Sequence, residues 1–499
     1  METFQYLLNG FGTALTPTNL LFALIGCSLG TLIGVLPGIG PAAGTAILIP
    51  LTFRMDPIPA IIMLAAIYYG AMYGGTITSV LINVPGEAAS VVTCFDGYQM
   101  AKQGRGGTAL AIAAIGSFVG GTFATLALTV VALPLARMAL RFGPPEFFSL
   151  MLVGLCLVTG LAGRSLVAAL LMTLFGLMLA MVGIDPVRGA PRFTFGIPEL
   201  YDGVGFIPVV MGLFGIGEIL LTAEAPYRQV IETRLRSLFP SREEWKRSAG
   251  AIGRGTLVGF SLGLIPGVGA IIPTFMAYIL EKRVSKHPEK FGTGVIEGVA
   301  SPETANNAYA NASMVPLLAL GIPSSPTIAV LMGAFIINGL TPGPFLFKER
   351  PDLVWAVIAS FYIGNVILLV LNLPLVGLWA SLLRIPYQYM FAGILLFCIV
   401  GAYSLKQSVF DVGLMIGFGL LGYVFRKLDF PLAPAVLALI LGPLMEKSLR
   451  TSLEISGGDF SIFFTRPISL ALLVVSALAI VGSALRVAPV RAAKEVQAA

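Results

Sequence analysis

Charged residues are scarce in this chain of 499 residues, because Asp, Glu, Lys and Arg together make up only 11% of it. A soluble globular domain carries roughly 25% charged residues, so the composition excludes an ordinary soluble protein. Hydrophobic residues make up 57% of the chain, and the mean hydropathy is +0.90. We therefore predict a polytopic protein of the lipid bilayer, and the net charge of +6 does not suggest a nucleic-acid partner.

Residues that carry common enzyme chemistry are also few. The single histidine, His287, lies in a basic stretch, and the four cysteines form no CxxC pair. These shortages argue against a disulfide framework, a metal site and a catalytic triad. The acidic run EEWKR at 243–247 has no histidine partner, and the chain has no GxxxxGK[ST] nucleotide loop. The first fifteen residues lack Lys and Arg, so a cleavable signal peptide is not expected.

Long apolar runs dominate the rest of the sequence and leave room for about 10–13 transmembrane segments. Several further apolar runs are too short to cross a bilayer, and they predict half-helices or re-entrant segments. A polar, basic stretch separates two halves of the chain. We predict an all-α fold with a first membrane half at 1–222, a cytoplasmic linker at 223–250, and a second half at 251–499 that includes the C-terminal spans and a short basic tail.

A helix-breaking phrase occurs once in each half, as GVLPGIG at 34–40 and as GLIPGVG at 263–269. A second break follows in each half, where Pro85 corresponds to Pro323. We infer an internal duplication with two broken helices in each copy. The second copy follows the basic linker whereas no basic residue precedes Arg54, which favours an inverted repeat. The basic loop at 282–290 favours a parallel repeat instead.

Broken helices inside a membrane need an explanation, because an unpaired backbone group in hydrocarbon costs several kcal/mol. One explanation is a kink that packs against a neighbouring helix. The other is a substrate site at the repeat interface, where the N–H groups of half-helices face an anion, and the matched breaks favour it. The candidate substrate-binding residues are Gly38, Gly40, Thr76, Ser79, Asn83, Pro85, Gly86, Ser90, Gly267, Gly269, Asn307, Asn311, Ser313, Pro323, Ser324, Ser325 and Thr327.

Acidic side chains also accompany the breaks, and an acid at membrane depth is a functional candidate by default. We predict that Glu87, Glu303 and Asn306 couple transport to a cation, Na⁺ or H⁺, with no other cofactor. No Lys or Arg occurs between residues 54 and 102 or between residues 290 and 348 to balance the charge. Alternatively, the two glutamates cap the helices that follow them, and Asn307 and Asn311 hold helices together.

Four stretches together resemble the large, TctA-type membrane subunit of the tripartite tricarboxylate transporters, over roughly Leu20 to Gly442. They are GVLPGIGP, YYGAMYGGTITSVLINVPGEAASVVTCFDGYQMAKQGR, GIDPVRGAPRFTFGIPELYDGVGF and PETANNAYANASMVPLLALGIPSSPT with the following GLTPGP. The resemblance implies a multi-pass protein of the bacterial inner membrane that takes up small carboxylates, such as citrate, by secondary active transport. It also implies two partners, which are a small four-helix membrane subunit and a periplasmic solute-binding protein.

Two other interpretations stay open. A stand-alone cation-coupled anion transporter would need no binding protein, and a passive channel would seldom need paired breaks in duplicated halves. If the linker is cytoplasmic, the polar, proline-rich segment 185–203 is periplasmic and could contact a binding protein through Arg188 and Arg192. The alternative for this segment is an ordinary packed loop.

Overall fold

The structure of the chain is a computed structural model that describes residues 2–36, 39–161, 165–185, 189–223, 239–382 and 387–498. Nearly all the regular structure in these ranges is helical. Two short strands, β1 (Gly183–Ile184) and β2 (Pro191–Arg192), pair antiparallel in a hairpin. The all-α fold predicted from the sequence is confirmed.

The helices follow one another in chain order from α1 to α23. In the first half they are α1 Glu2–Ala14, α2 Pro17–Val35, α3 Gly40–Leu48, α4 Pro57–Ile82, α5 Thr93–Lys102, α6 Gly106–Ala139, α7 Pro144–Leu161, α8 Leu166–Ala180, α9 Phe206–Val210 and α10 Gly217–Ala223. A π-helical segment, Met211–Ile216, joins α9 to α10, and a short 3₁₀ helix, Ala88–Val91, precedes α5.

The second half begins with α11. Its helices are α11 Arg242–Gly263, α12 Ile271–Val284, α13 Glu297–Ala312, α14 Met314–Leu320, α15 Pro326–Ile337, α16 Pro344–Glu349, α17 Pro351–Asn372, α18 Val376–Leu382, α19 Tyr387–Lys406, α20 Val409–Lys427, α21 Leu432–Ile455, α22 Ile462–Thr465 and α23 Pro467–Ala498. Other single 3₁₀ turns lie at Ile49–Thr52, Pro198–Leu200 and Pro288–Lys290.

Eight helical stretches within the described ranges are long and apolar enough to cross a membrane. They are Pro17–Val35, Pro57–Ile82, Gly106–Ala139, Phe206–Ala223, Pro351–Asn372, Val409–Lys427, Leu432–Ile455 and Pro467–Ala484. Shorter apolar helices accompany them, among them α3 and α15, which directly follow the predicted breaks. The helix α4 lies at the centre, because the most apolar part of it is fully buried by the surrounding helices.

Two helices carry a glycine at every fourth position, α2 at residues 26, 30 and 34 and α11 at residues 255, 259 and 263. A Cβ atom on Gly30 would lie 2.4 Å from the carbonyl oxygen of Ile67, and one on Gly259 would lie 2.2 Å from that of Ala305. These glycines therefore allow α2 to lie directly on α4, and α11 on α13. The two sets are 229 positions apart, as are the two helix-breaking phrases, so the duplication extends to helix packing.

The predicted linker falls mostly outside the described residues, which omit 224–238. Its last part begins helix α11, where the Ser241 side chain accepts a hydrogen bond from the Glu244 amide and the Glu244 carboxylate accepts one from the Ser241 amide. This reciprocal capping starts a helix that continues without interruption into the apolar stretch ending at Gly263.

The loop that carries β1 and β2 is held to helix α21 by ion pairs. Arg192 donates to Glu446 at 2.8 Å, and Arg450 donates to Asp185 at 3.0 Å. Arg192 is therefore part of a packed network, and reversing its charge would disturb folding as well as any docking. Arg188, the other residue predicted to dock, lies outside the described residues.

Candidate functional site

A cavity of about 650 Å³ lies where the breaks of the two halves meet. The first half contributes the start of α3 and the segment between α4 and α5, and the second contributes the loop before α12 and the start of α15. The predicted site residues on its wall are Gly40, Pro85, Gly86, Glu87, Gly267, Gly269, Ser324, Ser325 and Thr327. Residues from both copies of the duplication therefore share one cavity.

The last glycines of the two PGxG phrases adopt matching backbone conformations. Gly40 has φ +64° and Gly269 has φ +69°, in the left-handed region that favours glycine. A Cβ atom at either position would meet nothing within 4 Å, so the backbone conformation and not crowding calls for glycine there. In the second copy, the Gly267 amide donates to the Ser324 carbonyl oxygen at 3.0 Å and joins the two breaks. Pro37 and Gly38 lie outside the described residues.

The second breaks also correspond to each other. Asn83, the residue that follows helix α4, has φ +54°, and Gly321, the residue that follows helix α14, has φ +72°. Both residues adopt the left-handed conformation that commonly ends a helix, and Asn tolerates it better than most residues. Their separation equals that of Pro85 and Pro323. Asn83 therefore lies at a helix end and not on the cavity wall, where we had expected it.

Three helices begin at the cavity: α3, α12 and α15. A helix N-terminus carries about half a positive charge from its unpaired N–H groups, and it favours anions. At the start of α15, the Ser325 side chain accepts a hydrogen bond from the Ile328 amide at 3.3 Å. The neighbouring Ser324 hydroxyl is buried and has no hydrogen-bond partner among the residues that the structure describes. Three N-termini on one cavity suit a carboxylate ligand.

A cluster of buried acids extends from the cavity wall into the protein, and we call it the acid cluster. The Glu303 carboxylate accepts a hydrogen bond from Thr76 Oγ1 at 2.6 Å and another from Thr93 Oγ1. The Glu87 carboxylate, on the wall, accepts one from Asn306 Nδ2 at 2.5 Å. Neither carboxylate forms an ion pair with a Lys, Arg or His in the part of the chain that the structure describes. Within the described ranges, the buried Asn306 Oδ1 atom has no hydrogen-bond partner.

The capping alternative is wrong for Glu303, which lies in the middle of α13. It holds for Glu87, which precedes the short helix Ala88–Val91 and whose amide donates to Ser90 Oγ at 3.4 Å. Because its carboxylate also faces the cavity, Glu87 combines a capping position with a place on the wall.

Asn307 and Asn311 do not face the cavity, although the sequence analysis placed them among the substrate-binding candidates. Asn307 Nδ2 donates to Ser117 Oγ at 2.7 Å, and Asn311 Nδ2 donates to the Gly121 carbonyl oxygen at 2.9 Å. Both partners belong to α6. These amides join α13 to α6, as the alternative interpretation expected.

Other candidates also lie behind the wall. Ser79 donates to Ser90 at 3.0 Å, and Ser313 shares a hydrogen bond of 3.2 Å with Tyr68. Pro323 is part of the second break but does not line the cavity. These residues, with Thr76 in the acid cluster, are placed to support the cavity and not to contact a ligand in it.

Two charged residues on the wall escaped the sequence analysis: Glu218 of α10 and Arg426 in the last turn of α20. Their side chains form an ion pair. In the sequence, Arg426 precedes Lys427 at the end of an apolar run and resembles an ordinary interfacial cation. Nothing local indicates that the fold places it at the breaks.

Cysteine labelling tests whether this cavity holds the ligand. Position 86 cannot carry the label, because a Cβ atom on Gly86 would lie 2.0 Å from the Gly34 carbonyl oxygen. Ala88 and Ala270 also line the cavity and can be replaced by cysteine in a cysteine-free background. On the substrate class that the sequence resemblance implies, we expect citrate to slow maleimide labelling at both positions, but not at a cysteine placed at the exposed Glu454. Labelling that citrate leaves unchanged, in a protein that still transports, would place the site elsewhere.

Comparison with known proteins gives one family. The family described as "Tripartite tricarboxylate transporter TctA family" matches residues 20–437. An Agrobacterium vitis protein, "Uncharacterized 52.8 kDa protein in TAR-I ttuC' 3'region", is 48% identical over 482 residues, which cover 96% of each chain. A second protein of that organism, "Uncharacterized protein in TAR-II ttuC' 3'region", is 48% identical over 215 residues, 43% of this chain and 89% of the relative. No solved structure matches the chain.

Proposed function

The chain belongs to the tripartite tricarboxylate transporter TctA family, and on this basis we propose that it performs secondary-active uptake of small carboxylates. It is a multi-pass membrane component of a tripartite system. In the proposal, a periplasmic solute-binding protein delivers a tricarboxylate such as citrate, or a dicarboxylate, and a small four-helix subunit completes the complex in the bacterial inner membrane. Na⁺ or H⁺ enters with the substrate.

The charge of the cavity is the structural observation that carries the cation-coupled part of this proposal. Glu87, Glu218 and Arg426 are the charged residues among the described residues of the wall, so the one guanidinium balances only one carboxylate. Glu303 adds a buried acid behind the wall. The motif regions themselves contain no Lys or Arg, as the sequence shows, and α20 supplies one guanidinium to the wall without making the site positive.

A carboxylate ligand would make this imbalance larger. A helix N-terminus stabilises an anion by about 0.3–1 kcal/mol, and by up to roughly 2 kcal/mol when it is partly buried. An unpaired ion at low dielectric costs several kcal/mol even after relaxation. The N-termini of α3, α12 and α15 are therefore not sufficient, and cations that enter with the substrate would balance the charge. The acid cluster provides carboxylate, hydroxyl and amide oxygens for such a cation.

Membrane potential gives a second reason for cation coupling. Moving one elementary charge across 100 mV is worth about 2.3 kcal/mol, so an inside-negative potential pushes a bare anion outward. Enough cations must accompany the carboxylate to make the transport cycle neutral or net positive.

Uptake into proteoliposomes tests the proposed function. The vesicles hold this chain and the small membrane subunit, with citrate-loaded binding protein outside and no ATP. Na⁺ and pH gradients are imposed separately and then collapsed together. We expect accumulation with at least one gradient and none after both are collapsed. Accumulation that persists without either gradient would contradict the proposal, and undiminished uptake without binding protein would indicate a stand-alone carrier.

A further inference from the structure

The ion pair between Glu218 and Arg426 is unusual because it lies on the wall of the candidate site. Arg426 lies in the last turn of the apolar helix α20, and Glu218 lies in the first turn of α10, which follows the π-helical segment. Both side chains are largely buried, with 30% of Arg426 and 20% of Glu218 exposed. The wall they share also carries the starts of α3, α12 and α15.

Stabilisation of the fold is a weak explanation for this ion pair, because the desolvation of its two charges costs free energy. Removing two charges from water costs several kcal/mol for each ion, and a well-packed apolar pair is often equally stable or more stable. On a cavity wall, however, the guanidinium can change partners. A guanidinium binds carboxylates through two parallel hydrogen bonds, and the Glu218 carboxylate is the same chemical group that a carboxylate substrate would present.

We propose that Arg426 binds a carboxylate of the substrate. Without substrate, the Glu218 carboxylate forms an ion pair with Arg426 and takes the place of the substrate carboxylate. The inference rests on the proposed function and assigns a residue and a competitor to its site. Glu218 balances the guanidinium in the empty cavity and leaves it when the substrate binds. The substrate has to displace an internal carboxylate, so Glu218 lowers the apparent affinity and favours release.

The cavity wall then offers two kinds of group that attract negative charge. One is the set of helix N-termini with the Ser324 hydroxyl, which has no hydrogen-bond partner among the described residues, and the other is the Arg426 guanidinium. A ligand that uses both needs at least two carboxylates. Arg426 should therefore contribute more to the binding of a di- or tricarboxylate than to the binding of a monocarboxylate.

Direct binding to the full-length chain, purified in detergent, tests this inference. Citrate and acetate serve as the tricarboxylate and monocarboxylate probes, and affinity is measured by titration calorimetry. We expect Arg426→Gln to weaken citrate binding by about 30-fold or more, as truncating one partner of a buried charge pair typically does. Acetate binding should change much less. Arg426→Lys should lie between, because it keeps the charge and loses the two-bond geometry.

Replacing Glu218, which competes with the substrate for Arg426, should change citrate affinity in the opposite direction. We expect Glu218→Gln to tighten citrate binding about threefold or more, because Arg426 is then available without displacement. Lys427→Gln is the matched control, since it removes the same charge from the next position of α20, away from the cavity, and should leave citrate affinity unchanged. The melting temperature of each variant is measured alongside.

A purely structural ion pair predicts a different pattern. In that case both single substitutions would weaken citrate binding and lower the melting temperature together, and the double substitution would restore both, which would overturn the inference. Citrate binding that Arg426→Gln leaves unchanged would also overturn it, while the proposed function would stand. If the unmodified chain bound neither probe at millimolar concentration and transported no carboxylate, the proposed function would fail together with the inference.

Discussion

Replacing Glu303 with glutamine is expected to abolish cation-driven accumulation of the substrate. Glu303 is 1% exposed, and its carboxylate accepts hydrogen bonds from Thr76 and Thr93 but has no ion-pair partner among the described residues. Glutamine keeps the size of the side chain and removes the negative charge. An unbalanced buried charge is worth several kcal/mol, and each 1.4 kcal/mol changes an affinity tenfold. The affinity for the coupling cation should therefore fall by about 100-fold or more.

The measurement is initial citrate uptake in proteoliposomes as a function of external Na⁺ and of pH. Glu87→Gln should act in the same direction, because its carboxylate reaches the same cluster through Asn306. Glu281→Gln is a matched control that removes a carboxylate of similar burial already paired with Arg254, and it should keep the ion dependence of the unmodified protein. Unchanged ion dependence in Glu303→Gln, with normal uptake, would show that the coupling cation binds elsewhere.

The second large effect is expected on folding, from Asp96→Ala. Asp96 is fully buried in α5, and its carboxylate joins the two halves of the chain. The amides of Gly292, Gly294 and Val295 donate to it at 2.8–2.9 Å, and the Tyr278 hydroxyl donates at 2.9 Å. Its charge is satisfied by these donors, which distinguishes it from the acid cluster.

Alanine at position 96 would leave the buried amides of Gly294 and Val295 without acceptors, each at a cost of about 1–3 kcal/mol, and would also remove the acceptor of the more exposed Gly292 amide. The sum is a large share of the 5–15 kcal/mol that typically separates folded from unfolded protein. We therefore expect little monodisperse protein in detergent, or a much lower melting temperature. Asp96→Asn keeps one acceptor oxygen and should be milder.

Asp202→Ala provides the control for this prediction, because Asp202 is 84% exposed and pairs only loosely with Lys406 at 3.9 Å. It should leave the melting temperature almost unchanged. A normal yield and melting temperature for Asp96→Ala would mean that the contact between α5 and the loop before α13 contributes little to stability.

Composition and local chemistry were sufficient to predict the membrane class, the duplication and the positions of the breaks. Apolar runs of span length predict transmembrane helices because a bilayer has a fixed thickness. The PGxG phrases predict interrupted helices because proline and glycine disfavour a continuous helix. In the structure, Gly40 and Gly269 adopt left-handed conformations that few other residues adopt. These features depend on a residue and its near neighbours in the chain, so they can be recognised without the fold.

The direction in which each polar side chain faces was decided only by the tertiary structure. Asn306 contacts Glu87 near the cavity, whereas Asn307 contacts Ser117 of α6. Consecutive residues of an α-helix point about 100° apart, since a turn holds 3.6 residues. Helix α13 is buried on all sides from Gly298 to Ala312, so its sequence has no polar face that could reveal the direction of the cavity.

The position of Arg426 could not be predicted from the sequence either, because its partners lie far away in the chain. Its role on the cavity wall depends on the packing of α20 against the segment that leads into α10, more than 200 positions earlier in the sequence. The sequence by itself therefore determined that this is an all-α, multi-pass membrane protein, and it predicted two related halves with broken helices. Only the tertiary structure decided which charges meet at the breaks, because contacts between distant helices are set by packing and not by local pattern.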